Sequence, residues 1–284
     1  MTLNLRGQLL EPGKPMVMGI LNITPDSFHA PSRAEDAEEA AERVGEMLAK
    51  GADIIDIGAC STRPGSKQPS AGEEMRRLTG PLEQIRKKFP EAILSVDTYR
   101  ASVARAVLEN GLADIINDVS GGDMEMYDII ASHGAAYVLM HMRGTPADMD
   151  SRCQYGDVVA DVTMELAFKV DRAREAGICN LIVDPGFGFA KTVEQNFELL
   201  HGLDRLQILD APILAGMSRK RMARALAGGD EDRILEATLR LNAIALRKGA
   251  AILRVHDVAE ASALVKRYVD GSLGKDDLEE NEVI

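Results

Sequence analysis

Eight times along this chain an apolar run ends in a polar residue able to bind a ligand or do chemistry. The runs read Met16–Asn22, Asp53–Gly58, Ala92–Asp97, Ala113–Asn117, Ala136–His141, Asn180–Asp184, Ala211–Gly216 and Ala250–Arg254, with a helix-like stretch between most of them. Strands alternating with amphipathic helices indicate a parallel sheet, and eight such units make an α/β fold of the (β/α)8 TIM-barrel type. In that fold the site is built at the carboxyl ends of the strands, where Asn22, Asp97, Asn117, Asp184 and Arg254 fall. A doubly wound open sheet is the competing architecture, but its dinucleotide-binding members carry an early Gly-x-Gly-x-x-Gly turn that this chain lacks.

Helical spacing is clearest at three places. Ala37, Ala40, Ala41, Val44, Met47 and Leu48 form one apolar stripe, with Gly51 as its C-cap. Ile234, Ala237, Thr238, Leu241, Ile244 and Ala245 form another, and Asp157 to Ala176 a third that stops at Gly177. Residues 2–14 read as a short strand pair turning at Pro12-Gly13 and covering the amino end of the barrel. The tail Lys275–Ile284 is acidic and reads as frayed. No Ser/Gly-rich linker interrupts the rest, so the 284 residues read as one domain.

Composition narrows the function classes. A net charge of −12 repels phosphate backbones, and aromatic residues at 4% with no Trp leave little for base stacking, so nucleic acid is not an expected partner. An anionic ligand then needs a local cluster of cations. Cys60, Cys153 and Cys179 are odd in number and lack metal-site spacing, which reads as free thiols in a reducing compartment. No apolar run approaches the roughly 20 residues of a membrane span, and residues 1–15 do not make a signal-peptide core. A cytoplasmic protein without membrane contact is the expectation.

Two segments carry the sharpest signal: Leu21-Asn22-Ile23-Thr24-Pro25-Asp26-Ser27-Phe28, and Asp56-Ile57-Gly58-Ala59-Cys60-Ser61-Thr62-Arg63-Pro64-Gly65. Further stretches follow in order: Ser95-Val96-Asp97-Thr98, Ile116–Gly122, Asp184-Pro185-Gly186-Phe187-Gly188-Phe189-Ala190-Lys191, Ser218-Arg219-Lys220, and Arg254-Val255-His256-Asp257. Together, from residue 16 to about 265, they resemble the dihydropteroate synthases, the sulfonamide-target enzymes of folate synthesis. The resemblance implies a TIM barrel that joins 6-hydroxymethyl-7,8-dihydropterin pyrophosphate to p-aminobenzoate, releasing pyrophosphate and 7,8-dihydropteroate. It also implies magnesium as cofactor and a homodimer paired through outer helices.

The residues make chemical sense for that reaction. A pterin presents adjacent donors and an acceptor on one edge, which a buried carboxylate and an amide can read. Asp184, Asn117 and Asp97 supply these at strand ends, although Asp-Pro-Gly is also ordinary turn chemistry. Lys220 and Arg254 add donors for the ring, and Arg254 can stack on it. Charge builds on the departing pyrophosphate, so catalysis should be electrostatic. By resemblance, Asn22 helps to hold magnesium, Arg63 and His256 meet the pyrophosphate, and Thr62, Ser218 and Arg219 lie near the aminobenzoate. An amide is a weak metal ligand, which leaves most of the shell to phosphate oxygens and water. With no nucleophile set beside a base, a dissociative substitution is favoured. His141 stays ambiguous, while His133 and His201 read as surface residues.

The chain departs from the resembled pattern twice. Ala59-Cys60 stands where Gly-Glu is usual, so Cys60 is given no catalytic role. His29-Ala30-Pro31-Ser32-Arg33 replaces Ser-Asp-Gly-Gly after the first motif, which stiffens that loop. These departures suggest a rival reading, a catalytically weakened pterin-binding paralogue. A methyltetrahydrofolate-corrinoid methyltransferase shares the pocket but does not account for Thr62-Arg63-Pro64 or Ser218-Arg219-Lys220.

Overall fold

The computed structural model describes residues 3–9, 13–23, 33–60 and 68–274. Eight parallel strands close into a barrel: β3 (Met16–Asn22), β4 (Ile54–Gly58), β5 (Ile93–Asp97), β6 (Ile115–Asp118), β7 (Ala136–Met140), β8 (Leu181–Asp184), β9 (Ile213–Ala215) and β10 (Ala250–Val255). Each strand pairs with the next in the chain, and β10 returns to pair with β3. The helices between them are α1 (Arg33–Ala49), α2 (Ala71–Lys88), α3 (Ala101–Glu109), α4 (Met124–His133), α5 (Val158–Glu175), α6 (Val193–His201), α7 (Arg221–Leu226) and α8 (Ile234–Arg247), and α9 (Val258–Val269) follows the last strand. The (β/α)8 reading therefore holds.

Local chemistry fixes the starts of several helices. Asp157 caps α5 by accepting from the Ala160 N–H, and Thr192 and Gln195 form a reciprocal capping box at α6. Gly134, at φ 61°, ends α4 in the left-handed conformation that glycine adopts without strain.

Every strand alternates between two cores. Outward residues such as Ile55, Ile57, Leu94, Val96, Ile116 and Val183 pack with the helices. Inward residues Met18, Ile54, Ile93, Ile115, Val138, Ile182, Leu214 and Ile252 fill the barrel's amino half. Nearer the carboxyl end the same inward rows turn polar: Ile54 is followed by Asp56, Ile93 by Ser95 and Asp97, Ile115 by Asn117, Ile182 by Asp184, and Ile252 by Arg254. This period of two is what places the polar strand ends inside the barrel mouth.

A two-stranded hairpin, β1 (Asn4–Leu5) and β2 (Gln8–Leu9), precedes the barrel. Leu3 and Leu5 are 1% and 2% exposed and belong to the barrel's interior cluster, so each stabilises that end by roughly 1.5–3 kcal/mol. The turn that joins β1 to β2 lies at Arg6-Gly7, with φ of 51° and 81°, rather than where the sequence reading sets it; Pro12 lies outside the described residues. A two-residue hairpin loop wants two positive φ values to match strand twist, and Gly7 supplies one without strain. Pro-Gly is the louder local signal, which is why the sequence alone favours it. Among the described residues no helix is long and apolar enough to cross a membrane. The acidic tail lies outside the described residues.

Candidate active site

Strand register lays Asn22, Gly58, Asp97 and Asn117 side by side around the mouth, each paired with the next.

One turn of the pleat deeper sits Asp56, fully buried, which sequence reading passes over as a site residue. It accepts from Ser95 Oγ at 2.6 Å, Asn117 Nδ2 at 3.0 Å and Arg254 Nε at 2.6 Å. Arg254 also donates to Asp97 Oδ2 at 2.8 Å. Two carboxylates thus clamp one guanidinium, and Asp56 at the same time fixes the Asn117 amide so that its carbonyl oxygen is left for a ligand. Burial raises the Asp97 pKa, with Arg254 opposing, and the Arg254 charge is held firmly by its two acids. The signal for Asp56 was present in the sequence as a carboxylate inside the run Ile54-Ile55-Asp56-Ile57, a place where an unpaired charge is too costly to keep.

Across the mouth, Asp184 is 6% exposed and accepts the Gly186 N–H at 2.7 Å through Oδ1. Burial raises its pKa, while Lys220, the Gly186 N–H and Arg254 pull it down. Lys220 donates to the Phe187 carbonyl at 2.6 Å, and its Nζ stands 4.6 Å from the centre of the Phe189 ring. Burial lowers the Lys220 pKa to about 8, with Asp184 opposing. Val119, Met140, Met142, Met149, Phe189 and Ala190 make an apolar wall beside these groups, suited to a flat ring.

On the rim, Ser218 Oγ lies 3.0 Å from His256 Nδ1 and accepts the His256 backbone N–H at 3.3 Å. Partial desolvation and the neighbouring Arg254 and Arg219 lower the His256 pKa, so the ring is neutral at pH 7. Arg219 sits at φ 57° and pairs with Asp257, its Nε donating to Oδ2 at 3.1 Å. Asn22 is exposed at the end of β3. The structure thus brings Asn22, Asp97, Asn117, Asp184, Ser218, Arg219, Lys220, Arg254 and His256 to one end of the barrel. Thr62 and Arg63 lie outside the described residues.

Cys60 is half-buried, and burial together with the Glu74 carboxylate pushes its thiol up to about 12, which keeps it protonated. Glu74 reaches this spot from α2 and pairs with Arg100, which donates to the Pro69 carbonyl at 2.7 Å. A buried carboxylate therefore stands beside Cys60 although position 60 does not supply one. His141 is fully buried, and burial lowers its pKa to about 4. His133 is exposed, as read, but His201 is not simply a surface residue: it is half-buried, with Nε2 shut away from water.

Residues 18–256 match the family described as pterin binding enzyme. A dihydropteroate synthase of Streptococcus pyogenes serotype M1 is 43% identical over 258 residues, covering 89% of this chain and 94% of the relative. Among solved structures, the dihydropteroate synthase from Thermus thermophilus in complex with 4-aminobenzoate is 39% identical with a TM-score of 0.84, covering 94% of this chain and 98% of that one. The Yersinia pestis dihydropteroate synthase with a sulfonamide drug complex is 36% identical with a TM-score of 0.87, covering 95% and 99%. Barrel, polar mouth and relatives agree: the chain belongs to the pterin binding enzymes, among their dihydropteroate synthases.

Proposed function

We propose that the barrel mouth is the active site of a transferase of folate biosynthesis. The enzyme condenses 6-hydroxymethyl-7,8-dihydropterin pyrophosphate with p-aminobenzoate to give 7,8-dihydropteroate and pyrophosphate. The observation that carries the reading is the arrangement of Asp184, Asn117 and the clamped Arg254 around one apolar-walled opening. Asp184 and the Asn117 carbonyl accept hydrogen bonds from the pterin's amino and ring N–H groups. Lys220 donates to the ring acceptors, and Arg254, its edge occupied by Asp56 and Asp97, offers its face to the ring. Asp97 holds Arg254 and takes a further ring N–H.

Arg63 and His256 meet the pyrophosphate, and Thr62, Ser218 and Arg219 line the aminobenzoate side. Neutral His256, set by Ser218, donates a hydrogen bond to a phosphate oxygen. These donors stabilise charge that grows as the carbon–oxygen bond breaks, so the substitution is dissociative and no covalent enzyme adduct is needed. Asn22 offers a hard amide oxygen at the exposed end of β3, a donor that suits magnesium when phosphate oxygens and water complete the shell. Bound magnesium supplies further charge neutralisation on pyrophosphate. The assembly is read as a cytoplasmic homodimer, which light scattering on the purified protein checks.

The test is incubation with the dihydropterin pyrophosphate, magnesium and p-aminobenzoate, following product by chromatography. Formation of dihydropteroate that stops when any one substrate is left out is the expected result. Tight pterin binding with no product would establish the weakened paralogue instead.

A further inference from the structure

The segment after β8 wraps its backbone around a buried cation. Lys191 is 1% exposed, and its Nζ donates to the Gly186 carbonyl at 3.1 Å and the Phe189 carbonyl at 3.1 Å. Its third neighbour is His141 Nδ1, also at 3.1 Å. An ammonium has three N–H donors and no acceptor, so these three partners satisfy it only if His141 Nδ1 carries no hydrogen. The ring hydrogen then sits on Nε2, 2.9 Å from Glu165 Oε2. Glu165 is held from its other side by Arg143, whose Nε donates to Oε1 at 2.9 Å.

The consequence falls on the pocket. With the carbonyls of Gly186 and Phe189 turned in towards Lys191, the intervening Phe187 carbonyl turns to Lys220 Nζ, 2.6 Å away. The same turn sets the Phe189 ring beside Lys220 and brings the Gly186 N–H onto Asp184. Each contact that aims Lys220 and Asp184 is made by a residue whose neighbour, or whose own carbonyl, is held by Lys191.

We infer that Lys191, backed by His141 and Glu165, is a positioning residue for the pterin pocket: its ammonium sets the turn that aims Lys220 and Asp184. This rests on the reading of those two residues as partners of the pterin. The groups facing Lys191 and its histidine are Asp184 from β8, Lys220 from the β9–α7 turn, Glu165 and Lys169 from α5, Arg143 from the segment after β7, and Cys153 and Tyr155 from the segment before α5. Burial lowers the Lys191 pKa to about 7, Asp184 and Glu165 raise it, and Lys220 and Arg143 lower it. The ammonium is therefore lost as pH rises through about 7, ahead of Lys220 at about 8.

The experiment is calorimetry with 6-hydroxymethyl-7,8-dihydropterin, without metal, from pH 6 to 8, on the wild type, Lys191→Met, Glu165→Gln and Asp184→Asn. Lys191→Met should weaken binding about tenfold near pH 6, the worth of one ordinary hydrogen-bonded contact. Its KM for p-aminobenzoate should stay at the wild-type value, which a general loss of structure would not allow. Wild-type affinity should step down as pH passes 7, and that step should vanish in Lys191→Met. In Glu165→Gln the step should move to lower pH, because the carboxylate that favours the ammonium is gone. If Lys191→Met does not fold, Glu165→Gln decides alone, and an unmoved step overturns the proposal. Should Asp184→Asn weaken binding while Lys191→Met matches wild type in affinity and pH step, the positioning role fails and the pocket stands. Wild-type affinity in Asp184→Asn would remove the pocket reading itself.

Discussion

Asp56 shows how one residue can organise a site without facing it. It is the acceptor shared by Ser95, Asn117 and Arg254, and Arg254 lies 198 positions away in the chain. Asp56→Asn keeps the shape but removes one of the two carboxylates that hold Arg254, leaving Asp97 as its remaining partner; losing a hydrogen bond to a charged group costs about 1.5–3 kcal/mol. The expected outcome is a lower melting temperature together with weaker pterin binding, since both Asn117 and Arg254 are held less firmly. A folded variant with unchanged pterin affinity by calorimetry would show that the clamp does not aim the site. Arg63 should behave in the opposite way. A cation facing the leaving group matters most as charge develops, so Arg63→Ala should lower turnover roughly a hundredfold, the scale of losing one such donor. Binding of a pterin lacking pyrophosphate should not change, and equal losses in both assays would move Arg63 into the pterin pocket.

At the scale of elements, the critical piece is the turn from Asp184 to Lys191 between β8 and α6. Gly186 sits at φ 71°, and a Cβ there would come within 2.0 Å of the His141 carbonyl oxygen. Both facts demand glycine: the left-handed conformation strains any side chain, and the close approach is to backbone, which cannot swing away. Gly186→Ala should therefore cost at least about 1–3 kcal/mol of stability and disturb Asp184 and Lys220 together. Urea unfolding with pterin titration checks this, and wild-type values in both would mean that the turn tolerates a side chain. The rest of the barrel follows simpler rules. Amphipathic helices and period-two strands recur unit after unit, so only the strand ends and the turns behind them differ in chemistry.

For the whole molecule, the buried histidine couples stability to pH. His141 has its pKa lowered from 6.5 to about 4, chiefly by burial. Between those values the unfolded chain takes a proton that the folded one refuses. Its contribution is therefore fully present above pH 6.5 and is lost as pH falls towards 4, at up to about 1.4 kcal/mol per pH unit. Glu165 adds a second, more acidic window. Its pKa is lowered to about 2 by its hydrogen bonds to His141 and Arg143, so its contribution is present above pH 4.5 and lost as pH falls towards 2. His256, also lowered, acts in the same direction as His141. The raised carboxyls of Asp97 and Asp184 act in the opposite direction, so the test is a comparison: between pH 7 and pH 5 the urea midpoint of the wild type should fall relative to that of His141→Gln, by the slope that His141 contributes. An identical slope in the variant would mean that His141 titrates normally.

Much of this was legible in the linear chain because it is local. Apolar alternation repeats within each strand, helical stripes repeat between strands, and a polar residue at the close of an inward row must face the barrel mouth once the sheet closes. Asp97, Asn117, Asp184 and Arg254 could be named on that ground alone. The pairings could not. Whether Arg254 meets Asp56 or Asp97 depends on where the closing strand β10 lies against β3 and how far a side chain reaches across the barrel. Pro12-Gly13 and Arg6-Gly7 are both acceptable turns locally, and burial of Leu3 and Leu5 in the barrel floor selects the second. His141 read as ambiguous, and Lys191 as the last letter of a motif, because a strand end and a loop fifty residues apart become partners only when both are buried. Periodicity is a property of neighbours in the chain, whereas the partner of a buried charge is settled by the closed barrel that denies it water.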